Sequence, residues 1–127
     1  MGTTRKGTKL RRSVHTSEGD RHEFGWGSIT WLHSAAFSGS AEMTLGEVVI
    51  RAGQSNPMHA HPNCEEMLYL IEGELLHTCG DEKPSCLRPG SAICIPRGAA
   101  HNARCTSECD ARMIVAYSSS ARETLSE

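Results

Sequence analysis

The 127-residue sequence is short of several things, and each shortage narrows what the chain can be. No apolar run approaches the ~18 residues of a membrane span, and no apolar core follows the basic start as in a secretory signal, so a cytoplasmic protein is expected. No pair of its six cysteines has the two-residue spacing of a redox or zinc hook; Cys64, Cys79, Cys86, Cys94, Cys105 and Cys109 are expected as reduced thiols. Aromatic residues make up only 5%, which disfavours a stacked aromatic pocket. Nor is there length for a second domain, which excludes a separate nucleotide-cofactor module.

Charge is unevenly placed. Residues 1 to 21 carry six of the thirteen Lys and Arg but two of the fifteen acids, so the head is positive and the remainder negative. An acidic body without Arg and Lys interleaved with aromatics excludes a nucleic-acid partner. The stretch Met1 to Arg12, polar with Leu10 as its one large apolar residue after the initial Met, has too little apolar surface to offset its ordering entropy, and residues 1–25 are expected as a flexible leader. The polar stretch 119–127 is expected as a tail.

Between them, residues 26–118 break into short apolar runs separated by Gly, Pro, Asn and Asp, with no internal repeat. Strands are expected at Ser28 to Leu32, Met43 to Arg51, Met67 to Ile71, Glu74 to Cys79, Ala92 to Ile95 and Ala111 to Tyr117. Many short strands between turns predict a single all-β sandwich or barrel.

One stretch concentrates chemistry, Gly53-Gln-Ser-Asn-Pro-Met-His59-Ala-His61-Pro-Asn-Cys-Glu65-Glu66 and on to Gly73. Histidines two apart on an extended segment point to one face and can reach a single ion, and a nearby carboxylate adds a third ligand. A second stretch, Gly90 to His101 through Pro96 and Gly98, supplies another imidazole just past a strand. Three imidazoles and one carboxylate suit Fe, Mn, Ni, Co or Zn and leave positions open.

The two stretches resemble the paired motifs of the cupin superfamily. Gly53, His59, His61, Glu66 and Gly73 satisfy the first motif, and Gly90, Pro96, Gly98 and His101 the second. The sequence departs from the family where Ala52 replaces the usual Pro before Gly53, and where Cys105 stands in place of an Asn, with Asn102 directly after His101 instead. Neither departure touches a ligand position. The resemblance implies a cupin jelly-roll barrel, or double-stranded β-helix, of the compact single-domain kind, with one divalent transition metal per chain held by His59, His61, Glu66 and His101. Glu65 competes with Glu66, but Glu66 alone lies at the family spacing, six residues between it and Gly73. Strand alternation then sends Leu68 and Leu70 inward beside it. The motif glycines are expected to occupy turns with φ > 0.

Around the ligands, His77, Glu47 and Tyr117 are candidate catalytic residues, and Arg51, Leu68, Leu70, Asn102 and Arg104 candidate substrate contacts. Arg51 and Arg104 keep a carboxylate-bearing substrate open. Trp26 and Trp31 are expected in the core or an interface. Three functions stay open: an Fe(II) or Mn(II) dioxygenase-type enzyme, a redox-neutral lyase, isomerase or cyclase using Zn, Ni or Fe, and a non-catalytic binder of a small metabolite. In each the partner is a small molecule, and the family implies a homodimer.

Overall fold

The computed structural model describes residues 9–126. Eleven strands follow in order: β1 (Asp20–Phe24), β2 (Gly27–His33), β3 (Thr44–Ile50), β4 (His59–Ala60), β5 (Glu66–Glu72), β6 (Leu75–Cys79), β7 (Ser85–Leu87), β8 (Ala92–Ile95), β9 (His101–Cys105), β10 (Ala111–Tyr117) and β11 (Leu125–Ser126). A 3-10 turn at Thr16–Glu18 and one helical turn, Ala35–Ser38, complete the elements. The strands form a six-stranded sheet, β1-β2-β3-β10-β5-β8, and a five-stranded sheet, β11-β4-β9-β6-β7. All pairings are antiparallel, giving the expected jelly roll of two sheets.

Alternation explains which faces meet. Along β3, β5 and β10 every second residue is buried, so Val48 and Ile50, Leu68 and Leu70, and Met113 and Val115 form the core. Their side chains, β-branched in Val48, Ile50 and Val115, fit a pleated surface and leave water together. The register sets Val48 opposite Met113, Leu68 opposite Val115, and Glu66 opposite Tyr117. One polar end of the core is thereby specified by the same ladder that aligns its apolar part.

Five of the short elements, β1, β4, β7, β9 and β11, were not expected, because strands of two to five residues with polar composition carry little periodicity. The boundaries of the domain shift accordingly. Within the leader expected at 1–25, β1 pairs with β2 residue for residue from Asp20 to Phe24, and Phe24 stacks on Trp26 with ring centroids 5.0 Å apart. Every β1 residue keeps exposed surface, so edge hydrogen bonding, with the Phe24 stack on Trp26, orders this segment with little apolar burial. The first eight residues of that leader lie outside the described residues. Residues 119–126 likewise are not a free tail, since Leu125 and Ser126 pair with Ala60 and His59.

The motif glycines Gly53, Gly73, Gly90 and Gly98 all adopt positive φ, as expected. Gly73, between β5 and β6, is also crowded: a Cβ there would lie 2.7 Å from Ala111 Cα and 2.8 Å from Asp110 O. No helix among the described residues is long and apolar enough to cross a membrane. The six cysteines are free.

Candidate metal centre

Four side chains drawn from both sheets meet at the polar end of the core. His59 lies on β4, directly opposite His101 on β9, and His61 follows one residue beyond β4. Glu66 opens β5 across the sheet interface, with Glu65 turned outward. One ligand atom from each of His59, His61, Glu66 and His101 lies within 4.8 Å of the others. His61, Glu66 and His101 are buried, and His59 is half-buried at the mouth.

The hydrogen bonding decides which ring atoms face the centre. His59 Nδ1 donates to Pro57 O at 2.8 Å, His101 Nδ1 to Ala99 O at 2.9 Å, and His61 Nδ1 to Glu123 O at 2.9 Å. Carbonyls accept only, so each Nδ1 carries a proton and each Nε2 is left to the centre. Fixing the tautomer in this way is what carbonyl partners do for metal-ligating imidazoles.

Chemistry at the Nε2 atoms is incomplete without a cation. Glu66 Oε1 lies 3.1 Å from His101 Nε2 and 3.4 Å from His61 Nε2. A carboxylate oxygen and an unprotonated ring nitrogen at such distances oppose lone pairs unless a proton or a metal ion lies between them. His61 Nε2 is buried and has no hydrogen-bond partner, the 3.4 Å approach to Glu66 being too poorly aligned to count. Three nitrogens and one hard oxygen, with an orphaned nitrogen among them, fit a divalent metal.

The local field agrees. Burial alone would raise the Glu66 carboxyl, but with a proton in place of a metal ion between it and the rings, His101 and then His61 outweigh burial and hold the group down to about 2. Burial pulls His101 down, while the Glu66 hydrogen bond and the Ala99 carbonyl push it above its ordinary value. His59 is lowered, chiefly by burial.

Beside the centre opens a cavity of about 300 Å³ with largely apolar walls from β2, β3 and β10. Of the expected neighbours, the structure brings His77, Tyr117, Leu68 and Asn102 to this cavity. The His77 ring lies near parallel to His101 at 5.9 Å, and burial followed by the His101 charge pulls it down to about 4. Tyr117 meets His61 edge-on at 5.1 Å, and burial and then the Glu66 charge push its phenol well above the ordinary range. Asn102 Nδ2 donates to Asn56 O at 3.3 Å.

Four candidates go elsewhere. Leu70 is fully buried in the core and does not line the cavity. Glu47 shares β3 with inward Val48 and Ile50 but has the opposite parity, and it pairs with Arg112 at 3.1 Å on the outer face. Arg51, of the same parity, is exposed and lies 3.5 Å from Glu23. Arg104 points outward between the buried Ala103 and Cys105. Leu70 faces inward as expected but packs in the core, whereas for Glu47, Arg51 and Arg104 the spacing does not choose the inward face.

The sequence reading missed three contributors. Trp26, expected in the core or an interface, packs against the core and also lines the cavity. Glu123 acts through its backbone carbonyl, for which no side-chain signature exists. Arg122 lies with its guanidinium carbon 4.3 Å from the Trp31 ring centroid and 5.3 Å from that of Tyr117, on a strap otherwise expected to be a tail.

Comparison with known proteins places this geometry. A family model described as "Cupin domain" matches residues 46–117. Protein SchB of Streptomyces halstedii is 30% identical over 88 residues, covering 69% of this chain and 63% of that protein. Germin-like protein 3-8 of Oryza sativa subsp. japonica is 27% identical over 104 residues, covering 77% and 46%. The chain thus spans less than two thirds of the length of these curated relatives. Among solved structures, Lactobacillus farciminis oxalate decarboxylase in a formate complex superposes with a TM-score of 0.80 at 20% identity, over 88% of this chain and 34% of that one. An oxalate oxidase superposes with a TM-score of 0.73 at 25% identity, over 79% and 54%.

Proposed function

Because the chain belongs to the cupin domain family, we propose that it is a metal-dependent enzyme acting on a small organic molecule, with dioxygenase-type chemistry at an Fe(II) or Mn(II) centre as the leading reading. His59, His61, Glu66 and His101 would hold the ion. The observation that carries the reading is the convergence of three carbonyl-oriented imidazoles on one buried carboxylate, with His61 Nε2 left without a partner. The likeness to an oxalate oxidase at 25% identity supports an oxygen-linked reaction, without carrying over its substrate.

A bound ion of this kind would polarise a substrate oxygen and stabilise negative charge developing on it. The chain's own residues supply the rest. The apolar walls exclude water from the substrate, which strengthens every polar contact inside. His77, held neutral by burial next to His101, offers an unprotonated ring nitrogen to a substrate proton at neutral pH. Tyr117 keeps its phenolic proton and can donate it as a hydrogen bond.

The test compares Fe(II)-, Mn(II)- and Zn(II)-loaded protein on small hydroxylated acids and phenols, with an oxygen electrode beside product analysis. Oxygen consumption coupled to product with Fe(II) or Mn(II) is the expected result. Turnover with Zn(II) and no oxygen uptake would replace this reading by a lyase, isomerase or cyclase. Binding without turnover under any metal would replace it by a metabolite-binding module.

A further inference from the structure

Arg122 is the one Lys or Arg lining the metal cavity among the described residues, and it is held there rather than trailing in solvent. Asn63 clasps the strap on both sides of it: its Nδ2 donates to Ala121 O at 3.0 Å, and its Oδ1 accepts from Glu123 N at 2.8 Å. One residue further the strap is tied to the centre itself, since Glu123 O accepts from His61 Nδ1. The faces of Trp31 and Tyr117 lie against the guanidinium, an arrangement that occupies its π surface and leaves its N–H edges for acceptors.

Those edges are under-used. Nη1 donates to Thr124 Oγ1, and among the described residues no carboxylate lies within ion-pair distance of Arg122. The cavity's one carboxylate, Glu66, is engaged by His61 and His101. A half-buried guanidinium facing a cavity whose one carboxylate is already engaged has N–H edges open to an anion that arrives with the ligand. The apolar lining, which includes Ile29, Ile50 and Met113, suits an apolar body.

The geometry points to Arg122 as the carboxylate-reading residue of this site, so that the substrate class is a small carboxylic acid with an apolar body, its carboxylate on Arg122 and its remainder in the cavity beside the histidines. This rests on the cavity being the substrate site of the proposed enzyme. It moves to Arg122 the role for which Arg51 and Arg104 were candidates and which their outward placement denies them.

The experiment measures binding of benzoate, mandelate and isovalerate, each beside its primary amide, by calorimetry to the metal-loaded full chain, with metal content determined on the same samples. Wild type is expected to bind at least one acid about tenfold or more tightly than its amide, the scale of a charge-assisted bidentate contact. Arg122→Leu is expected to remove that preference, the acid losing about tenfold more affinity than the amide with metal content unchanged, and Arg122→Lys to restore part of it. No preference for any acid in wild type would overturn the assignment. So would an equal loss for acid and amide in Arg122→Leu, which would make Arg122 a packing residue, or an acid preference that survives the substitution. Acid preference in a protein that takes up no metal would overturn the metal-enzyme reading and uphold this one; metal uptake without acid preference would do the reverse.

Discussion

Asn63→Ala should weaken metal binding although Asn63 is not a ligand. Its amide makes two well-formed hydrogen bonds to the strap, at 3.0 and 2.8 Å, and a long one to Ser119 Oγ at 3.4 Å. At about 1 kcal/mol for each good bond, reduced for partial exposure, the substitution costs the docked strap about 1 to 2 kcal/mol. Bonds from Ala35 N to Ser120 O at 2.9 Å and from Thr44 Oγ1 to Ser119 O at 2.7 Å hold the start of the strap, so the loss falls on its later part, where the Arg122 stack and the two paired residues of β11 remain. An undocked strap takes Glu123 O away from His61 Nδ1, and losing such an outer partner typically lowers metal affinity about 10- to 100-fold. Competition against a chromogenic chelator for Zn(II) or Mn(II) gives the affinity, and tryptic cleavage after Arg122 reports strap release independently. Asn63→Asp, which keeps the acceptor for Glu123 N, should fall between the two. Rapid cleavage with an unchanged dissociation constant would refute the coupling of strap to centre. Slow cleavage with unchanged affinity would refute the energy assigned to the clasp.

Two further outcomes follow from other parts of the molecule. Gly73→Ala should cost about 3 kcal/mol or more, because positive φ adds to a Cβ 2.7 Å from backbone, whereas Gly53→Ala, at similar φ with nothing within 4 Å, should cost about 1 to 2; equal midpoints in urea would contradict the crowding at Ala111. In the metal-free protein, His77 titrates at about 4 when folded and at 6.5 when unfolded, so the unfolded chain binds the proton first. Stability should then fall as pH drops from about 6.5 towards 4, by at most about 3 kcal/mol, and His77→Phe should flatten that slope; an unchanged slope in urea titrations would show that His77 is not held neutral by burial.

The four metal-ligand candidates were legible because two motifs fix both residue type and strand position, and alternation turns sequence spacing into a shared face. Glu66 and Glu65 were separable for the same reason, and β5 does turn Glu66 inward and Glu65 outward. Alternation alone could not choose an inward face where no motif anchored it, and so Glu47, Arg51 and Arg104 were candidates although Glu47 on β3 and Arg104 on β9 turn outward and Arg51, just past β3, is exposed. The strap was illegible on different grounds. Residues 119–126 are short and polar, their ordering comes from partners distant in sequence, Ala35, Thr44, Asn63 and β4, and their contribution to His61 is a backbone carbonyl. Composition reports apolar burial, and this segment orders mainly through hydrogen bonds. The same holds for β1, ordered by edge pairing although every one of its side chains is exposed.

The central claim, that His59, His61, Glu66 and His101 hold one divalent metal ion, is most directly tested by metal content. Protein purified without added metal, and again after loading with Fe(II), Mn(II) or Zn(II), is analysed by plasma mass spectrometry beside His61→Ala checked for native circular dichroism. The account predicts about one ion per chain in the loaded wild type and close to none in folded His61→Ala, since removing one of four protein ligands leaves the set incomplete. Full stoichiometry in His61→Ala, or a wild type that takes up none of the three metals, would contradict it.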